Sequence, residues 1–425
     1  MEFDLVVEGE AVLRSGTEHM QVGLRDGIIA DLRKTGLRGR KVDASGCLIF
    51  PGFIDPHVHL REPGWESKED FMTASAAAVH GGVTTVFDMP NNPVPATTPE
   101  ALEKKLTLAR RAPIDILFHG GVTRENLHSL ARMSNLVVSY KLYLAETTGS
   151  LLLPQELLPA ALSEISKTGK PASIHCEDQS LIELRKEKAG GAWGPEAHAR
   201  IRNRRTELDS VRKVLSARPK GGRGKVNLCH LSTGESCGLV TRARGAGGAI
   251  ACEATLHHLF FNSEILKEKG DLLRVNPPLR SESDRKALVR ALKGGDVDFL
   301  VTDHAPHLLE EKMSGDPPSG VPGLDNYGNV VAWLITEQDM SPSRVARATS
   351  GNQAGFFGLK DRGELARGKV ADIAVVDLKL RERVTAEGLR TKCGWSPYEG
   401  IKFRGRVRWT IKDGTVLLDD CQLIS

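Results

Sequence analysis

In the stretch Asp55-Pro56-His57-Val58-His59-Leu60-Arg61-Glu62-Pro63-Gly64, one residue separates two histidines. The stretch follows the apolar residues Cys47-Leu48-Ile49-Phe50 and Phe53-Ile54, which read as a buried strand. Side chains alternate along an extended chain, so His57 and His59 face one side and Val58 the other. Two imidazoles on one face at a strand's end can close on one metal ion. The alternative is a pair of ordinary buried histidines, and further ligands elsewhere in the chain decide between the two.

Later apolar runs end on residues of the same kind. One ends at Asp88-Met89-Pro90-Asn91-Asn92, others at Lys141, His175 and His230, and the last at Asp303-His304-Ala305-Pro306-His307. Four histidines and an aspartate at equivalent places in separate units point to a metal site. Neutral imidazoles with a carboxylate suit zinc or a similar divalent ion. Five ligands exceed what one catalytic zinc takes while keeping a position open for water, so two ions sharing a hydroxide fit the count better. Lys141 is the odd member, because an ammonium beside two dications is strongly disfavoured. Either its charge reaches solvent at the mouth of the site, or its amine has reacted with carbon dioxide to give a bridging carbamate.

These residues need a scaffold that brings strand ends together. Apolar runs rich in β-branched residues recur at 83–89, 114–118, 136–144, 172–175, 226–231, 249–253 and 297–302. Helical patterns separate most of them, for example 99–111, 154–168, 207–217 and 283–292, and Pro99 and Pro154 stand where a first helical turn tolerates proline. With the strand before His57 the runs number eight, and strand–helix alternation eight times over predicts a (β/α)8 barrel. A doubly wound sheet is the alternative, but no Gly-x-Gly-x-x-Gly turn follows an early strand. Both chain ends carry short alternating strands: 3–7, 12–14, 20–24 and 28–32 with an Asp26-Gly27 turn, then 371–377, 402–410 and 415–418 with an Asp413-Gly414 turn. Such strands cannot bury a core alone. The expectation is therefore a barrel over residues 51–358 and a small β-sandwich domain assembled from residues 1–50 and 359–425.

The chain has 425 residues, 40% hydrophobic and 26% charged, with a net charge of +4. That composition is globular, and so small a charge gives no reason to expect nucleic-acid or membrane partners. The basic run Arg200 to Arg205 reads as a solvated helix face. The first residues lack a signal-peptide pattern, and no apolar run approaches the roughly 20 residues of a membrane span. Seven scattered cysteines argue against a disulfide framework and for a reducing cytoplasm.

Several motifs carry a more specific likeness. Residues 55–64 together with Met-Pro-Asn at 89–91, Lys-Leu-Tyr-Leu at 141–144, Asn-Pro-Pro-Leu-Arg at 276–280 and Thr-Asp-His-Ala-Pro-His at 302–307 resemble the dihydroorotases of the amidohydrolase superfamily. The likeness extends over nearly the whole chain. It implies a cytoplasmic enzyme of pyrimidine synthesis that interconverts L-dihydroorotate and N-carbamoyl-L-aspartate. It implies two Zn2+ per subunit, one held by His57, His59 and Asp303 and the other by His175 and His230, bridged by carboxylated Lys141 and a hydroxide. Asp303 would shuttle the proton. Arg61, Asn91 and His307 would hold the substrate carboxylate, alongside His59. Asn276 and the backbone at Pro322 and Gly323 would meet the ring amide edge. For Asn91, within a proline-rich turn, a turn-forming role is the alternative.

Two departures stand out. Some relatives have a Thr-Phe pair on a loop that closes over substrate, where this chain has Thr147-Thr148. Other relatives have aspartate at the bridging position occupied here by Lys141. Cys229 and Glu253 neighbour the site in sequence and could hold an extra ion, although in a regular strand Cys229 points away from His230. Allantoinases and hydantoinases share the ligand set, and Arg61 is the residue that discriminates, because dihydroorotate has a carboxylate and allantoin does not. A non-catalytic scaffold barrel is the remaining rival, and it would have lost ligands that this chain keeps. Assembly into homo-oligomers and association with aspartate transcarbamoylase are open, and no segment shows a surface for either.

Overall fold

The computed structural model describes residues 2–149, 151–191, 194–219 and 224–424. At the amino-terminal end, β1 (Glu2–Leu13), β2 (Gly16–Arg25), β3 (Ile28–Arg33) and β4 (Arg38–Pro51) form one side of a sheet. The two short strands expected at 3–7 and 12–14 are one strand. Gly9 lies at the point where the β1–β4 register shifts, and a Cβ there would come within 2.5 Å of the Ala44 carbonyl oxygen. The Asp26-Gly27 turn joins β2 to β3 with both residues at positive φ, 53° and 74°, the geometry a two-residue hairpin requires.

Eight parallel strands follow: β5 (Phe53–Val58), β6 (Val83–Asp88), β7 (Asp115–Gly121), β8 (Ser139–Tyr143), β9 (Ala172–His175), β10 (Val226–Leu228), β11 (Ile250–Thr255) and β12 (Phe299–Val301). They pair in sequence order, and a parallel bridge between Val58 and His304 brings the last strand back to the first. The seam is polar. Buried Asp55 on β5 accepts from the Thr302 hydroxyl at 2.5 Å and from its amide at 3.1 Å, while the His59 amide donates to the His304 carbonyl at 2.7 Å. Burial pushes the Asp55 carboxyl up to about 8, against those donors.

The apolar run before His57 is divided between two sheets. Residues 48–51 pair with β13 (Ile373–Arg383) as the end of β4, and β5 begins only at Phe53. Gly52 makes the crossing, donating to the Asp372 carbonyl at 2.7 Å; a Cβ there would lie 2.3 Å from Thr84 Oγ1. With β14 (Lys402–Lys412), β15 (Thr415–Asp419) and β16 (Gln422–Leu423), β13 completes a continuous eight-stranded sheet built from both ends of the chain. Its own core includes Leu5, Val7, Val22, Ile49, Val375 and Ile411. Among the described residues no helix is long and apolar enough to cross a membrane.

Candidate active site

The carboxyl ends of the barrel strands converge on one pocket, lined by His57, His59, Arg61, Asn91, Lys141, His175, His230, Asn276 and Asp303 among others. This is the end at which a barrel's side chains come together from different strands.

His57 Nδ1 lies 2.7 Å from Glu253 Oε2 on β11, and His59 Nδ1 lies 2.7 Å from Asn91 Oδ1. Both partners are acceptors, so each Nδ1 carries the hydrogen and each Nε2 is left with its lone pair. The two Nε2 atoms face Asp303 Oδ1 at 3.3 and 3.2 Å. Burial lowers the basicity of both imidazoles. For His57 the Lys141 charge adds to burial and takes it well below the ordinary value. Two lone pairs and a carboxylate oxygen facing one another are relieved by a cation, and this donor set fits a divalent metal.

A second pair lies beside the first. His175 Nδ1 is 3.0 Å from His230 Nε2, and His175 Nε2 is 3.1 Å from Glu177 Oε2. Glu177 also accepts from Arg202 Nη1 at 2.5 Å. The His57 and His230 rings lie 5.0 Å apart and those of His175 and His230 4.7 Å apart, so the imidazoles form a connected row. Lys141 Nζ is buried below them, donating to Cys229 Sγ at 3.0 Å and lying 5.1 Å from the Tyr143 ring centre.

The backbone is strained where these groups are presented. Arg61, His230 and Asp303 all adopt positive φ, at 66°, 35° and 48°. Such a conformation costs a non-glycine residue on the order of 1–3 kcal/mol, and it concentrates at functional sites. Strand β10 stops at Leu228, and the turn at His230 explains why Cys229 does not point away. Strict alternation predicted the opposite. Instead Cys229, Glu253 and His57 bring ligand atoms within 4.8 Å of one another, as do His57, His59 and Asp303.

Arg61 is buried, with Nε donating to the Pro306 carbonyl at 2.9 Å and Nη2 lying 3.1 Å from His307 Nε2. Burial pulls its guanidinium down to about 10, which leaves it charged at neutral pH. Asn91 is clasped between His59 and the Thr148 carbonyl, the latter at 2.8 Å. His307 is not itself a lining residue and stands behind Arg61 and the wall residues Ser319 and Gly320. Pro322 and Gly323 are not among the lining residues: the Gly323 amide donates to His304 Nδ1 at 3.1 Å, and Ser319 and Gly320 form the wall instead. Ser319 Oγ lies 3.2 Å from Asn276 Oδ1.

Two further groups were not foreseen. The Tyr143 hydroxyl is buried without a hydrogen-bond partner among the described residues, and burial keeps it protonated. Its position two residues after Lys141 on β8 was the available signal, since alternate residues share a face. The other is Arg202, expected on a solvated helix face but buried on Glu177 between helices at 195–201 and 204–217. Burying an arginine requires such a partner.

Residues 48–417 match the amidohydrolase family. The chain is 35% identical over 389 residues to a dihydroorotase of Methanosarcina mazei, covering 87% of this chain and 85% of the relative. It is 29% identical over 436 residues to an allantoinase of Escherichia coli, covering 99% and 96%. The solved structure of an L-hydantoinase from Arthrobacter aurescens superposes with a TM-score of 0.95 at 25% identity, covering 100% of this chain and 98% of that one.

Proposed function

The chain belongs to the amidohydrolase family, and from that premise we propose that this hydrolase of cyclic amides interconverts L-dihydroorotate and N-carbamoyl-L-aspartate in pyrimidine synthesis. The observation that carries the choice of substrate is Arg61. A buried guanidinium lines the pocket with its Nε and one Nη2 hydrogen already engaged, leaving other donors for a bidentate carboxylate. Dihydroorotate carries such a carboxylate, whereas allantoin and unsubstituted hydantoin do not. Asn91 and His307 act beside and behind Arg61.

His57, His59 and Asp303 would hold one zinc ion and His175 with His230 a second, with Lys141 as its carbamate between them. The unmodified Lys141 ammonium has three donors and, among the described residues, one hydrogen bond, to a sulfur atom. That is a poor setting for a buried cation and a good one for an amine that captures carbon dioxide. When bound, the ions would polarise the ring carbonyl and lower the pKa of water. Asp303 Oδ1 faces the two imidazoles, so Oδ2 is the oxygen that takes the proton from attacking water. It then returns the proton to the ring nitrogen as the carbon–nitrogen bond breaks. Tyr143 and Asn276 offer donors to the ring edge.

Dihydroorotate, allantoin and hydantoin assayed side by side, with metal content measured on the same sample, test the reading. Turnover of dihydroorotate at least about a hundredfold above the others is expected, since an unpaired buried arginine penalises substrates lacking the anion. Preference for allantoin or hydantoin would replace it with the reaction of the other relatives. Fewer than one bound divalent ion per chain, with no turnover, would favour a scaffold.

A further inference from the structure

Between β13 and β14 the terminal sheet sends residues 384–401 onto the loops that leave the first and last barrel strands. Arg390 and Thr391 amides donate to Asp325 at 2.9 and 3.1 Å, and Lys392 pairs with Asp70 at 2.7 Å. Buried Trp395 donates its indole Nε1–H to the His307 carbonyl at 2.8 Å. That bond joins the terminal sheet to the peptide segment on which Arg61 is anchored.

Two contacts hold the Arg61 guanidinium. Its Nε rests on the Pro306 carbonyl and its Nη2 on His307 Nε2. Arginine is only a donor, so His307 Nε2 bears the lone pair and the histidine is neutral. Burial, then Arg61 and Lys68, hold its basicity down. The anchors lie in a connection between β12 and the helix at 327–336 that holds only short helical turns, at 309–312 and 324–326. Pro306 lacks an amide hydrogen, so that residue cannot be fixed by donating to a neighbour. Two backbone ties flank the pair, the Ala305 amide on the Val321 carbonyl at 2.9 Å and the Trp395 indole on the His307 carbonyl, while the His307 ring also meets Lys68 Nζ at 3.4 Å and the Ser319 backbone.

We propose that Trp395 is a positioning residue for substrate recognition: its indole N–H holds the His307 carbonyl, and through Pro306 and His307 it aims Arg61 at the substrate carboxylate. The carboxy-terminal segment thereby forms part of the specificity apparatus of the barrel. The inference rests on the reading of Arg61 as the carboxylate-binding group.

The test is steady-state kinetics of the zinc-loaded enzyme with dihydroorotate for Trp395→Phe, which keeps an aromatic ring and removes the N–H, with Arg61→Lys in parallel. Loss of one net hydrogen bond should raise KM about threefold to tenfold while kcat stays within about twofold and metal content is unchanged. An unchanged KM, or a fall in kcat accompanied by metal loss, overturns the proposal. If Arg61→Lys leaves KM unaltered, the carboxylate reading itself has failed. Should the phenylalanine variant not fold, a benzothiophene analogue at position 395 keeps the bicyclic shape without the N–H. It is judged by the same criteria.

Discussion

The Lys141 charge bears on all four histidines of the pocket. After burial itself, its charge is the first-ranked influence lowering the basicity of His57, and it also lowers His59, His175 and His230. Converting that cation to an anionic carbamate would reverse every one of these couplings and turn competitors for positive charge into a cage that attracts it. Lys141→Ala should therefore reduce turnover at least about a thousandfold and lower zinc content, and a short-chain carboxylic acid should restore part of both. Full activity without the added acid would remove the bridging role. At this scale the sequence was informative where alternation held. His57 and His59 both turn Nε2 to Asp303, as alternation predicts, although β5 ends at Val58 and its pairing with β6 shifts register between Asp55 and Val58. Cys229 was misjudged because alternation stops one residue earlier, at Leu228, and a positive φ at His230 is invisible to a pattern of period two. Arg202 was misjudged because its partner, Glu177, is 25 residues away along the chain.

Elements hold these residues through buried polar ties as well as apolar packing. Asp88, at the end of β6, accepts from the Leu60 amide at 2.8 Å and pairs with Lys105 Nζ at 2.5 Å. Lys105 comes from the helix at 99–109 and also donates to Asn92 Oδ1 at 2.9 Å. One ammonium thus fixes the turn that carries Asn91 and, through Asp88, the backbone between His59 and Arg61. Removing one partner of a buried ion pair leaves the other charge stranded, so Lys105→Met should cost about 3–5 kcal/mol in denaturant unfolding. Adding Asp88→Asn should recover part of that loss; a purely additive pair of losses would show that the two side chains do not act together. The strands and helices themselves were legible, because β-branched apolar runs alternate with helical periodicity from Val83 to Val301. What escaped was where a strand changes sheet, since the run from Cys47 to Ile54 is continuous in composition and is interrupted only by Pro51 and Gly52.

Across the whole molecule, the terminal sheet meets the barrel at both of its ends, with different consequences. At the catalytic end Trp395 reaches the His307 carbonyl. At the opposite end Arg362 donates to Thr85 Oγ1 at 2.8 Å and to Asp115 at the start of β7, while Lys412 on β14 lies 3.1 Å from Asp115 and 3.3 Å from Asp372. That the two chain ends pair was legible from their matching strands and Asp-Gly turns; that they clasp the barrel was not, because ion pairs between distant segments leave no periodic trace. Burial acts to raise the Asp115 carboxyl, but Arg362 and Lys412 outweigh it and hold it below the ordinary value. A carboxyl whose folded pKa is depressed stabilises the fold above its unfolded pKa and loses that contribution as pH falls below it. Arg362→Ala should then cost about 1–3 kcal/mol at neutral pH, less than a fully buried pair because the Asp115 side chain is 37% exposed. The gap between variant and parent should narrow as pH falls below about 4, the unfolded value, and close once pH has fallen through the lower folded-state pKa of Asp115. Dihydroorotate KM at neutral pH should not move, because this end of a barrel carries stability and the other carries the chemistry. Thermal unfolding from pH 7 to pH 3 with kinetics on the same samples decides it. A gap independent of pH would assign the loss to packing, and a raised KM would show that the two ends of the barrel are coupled.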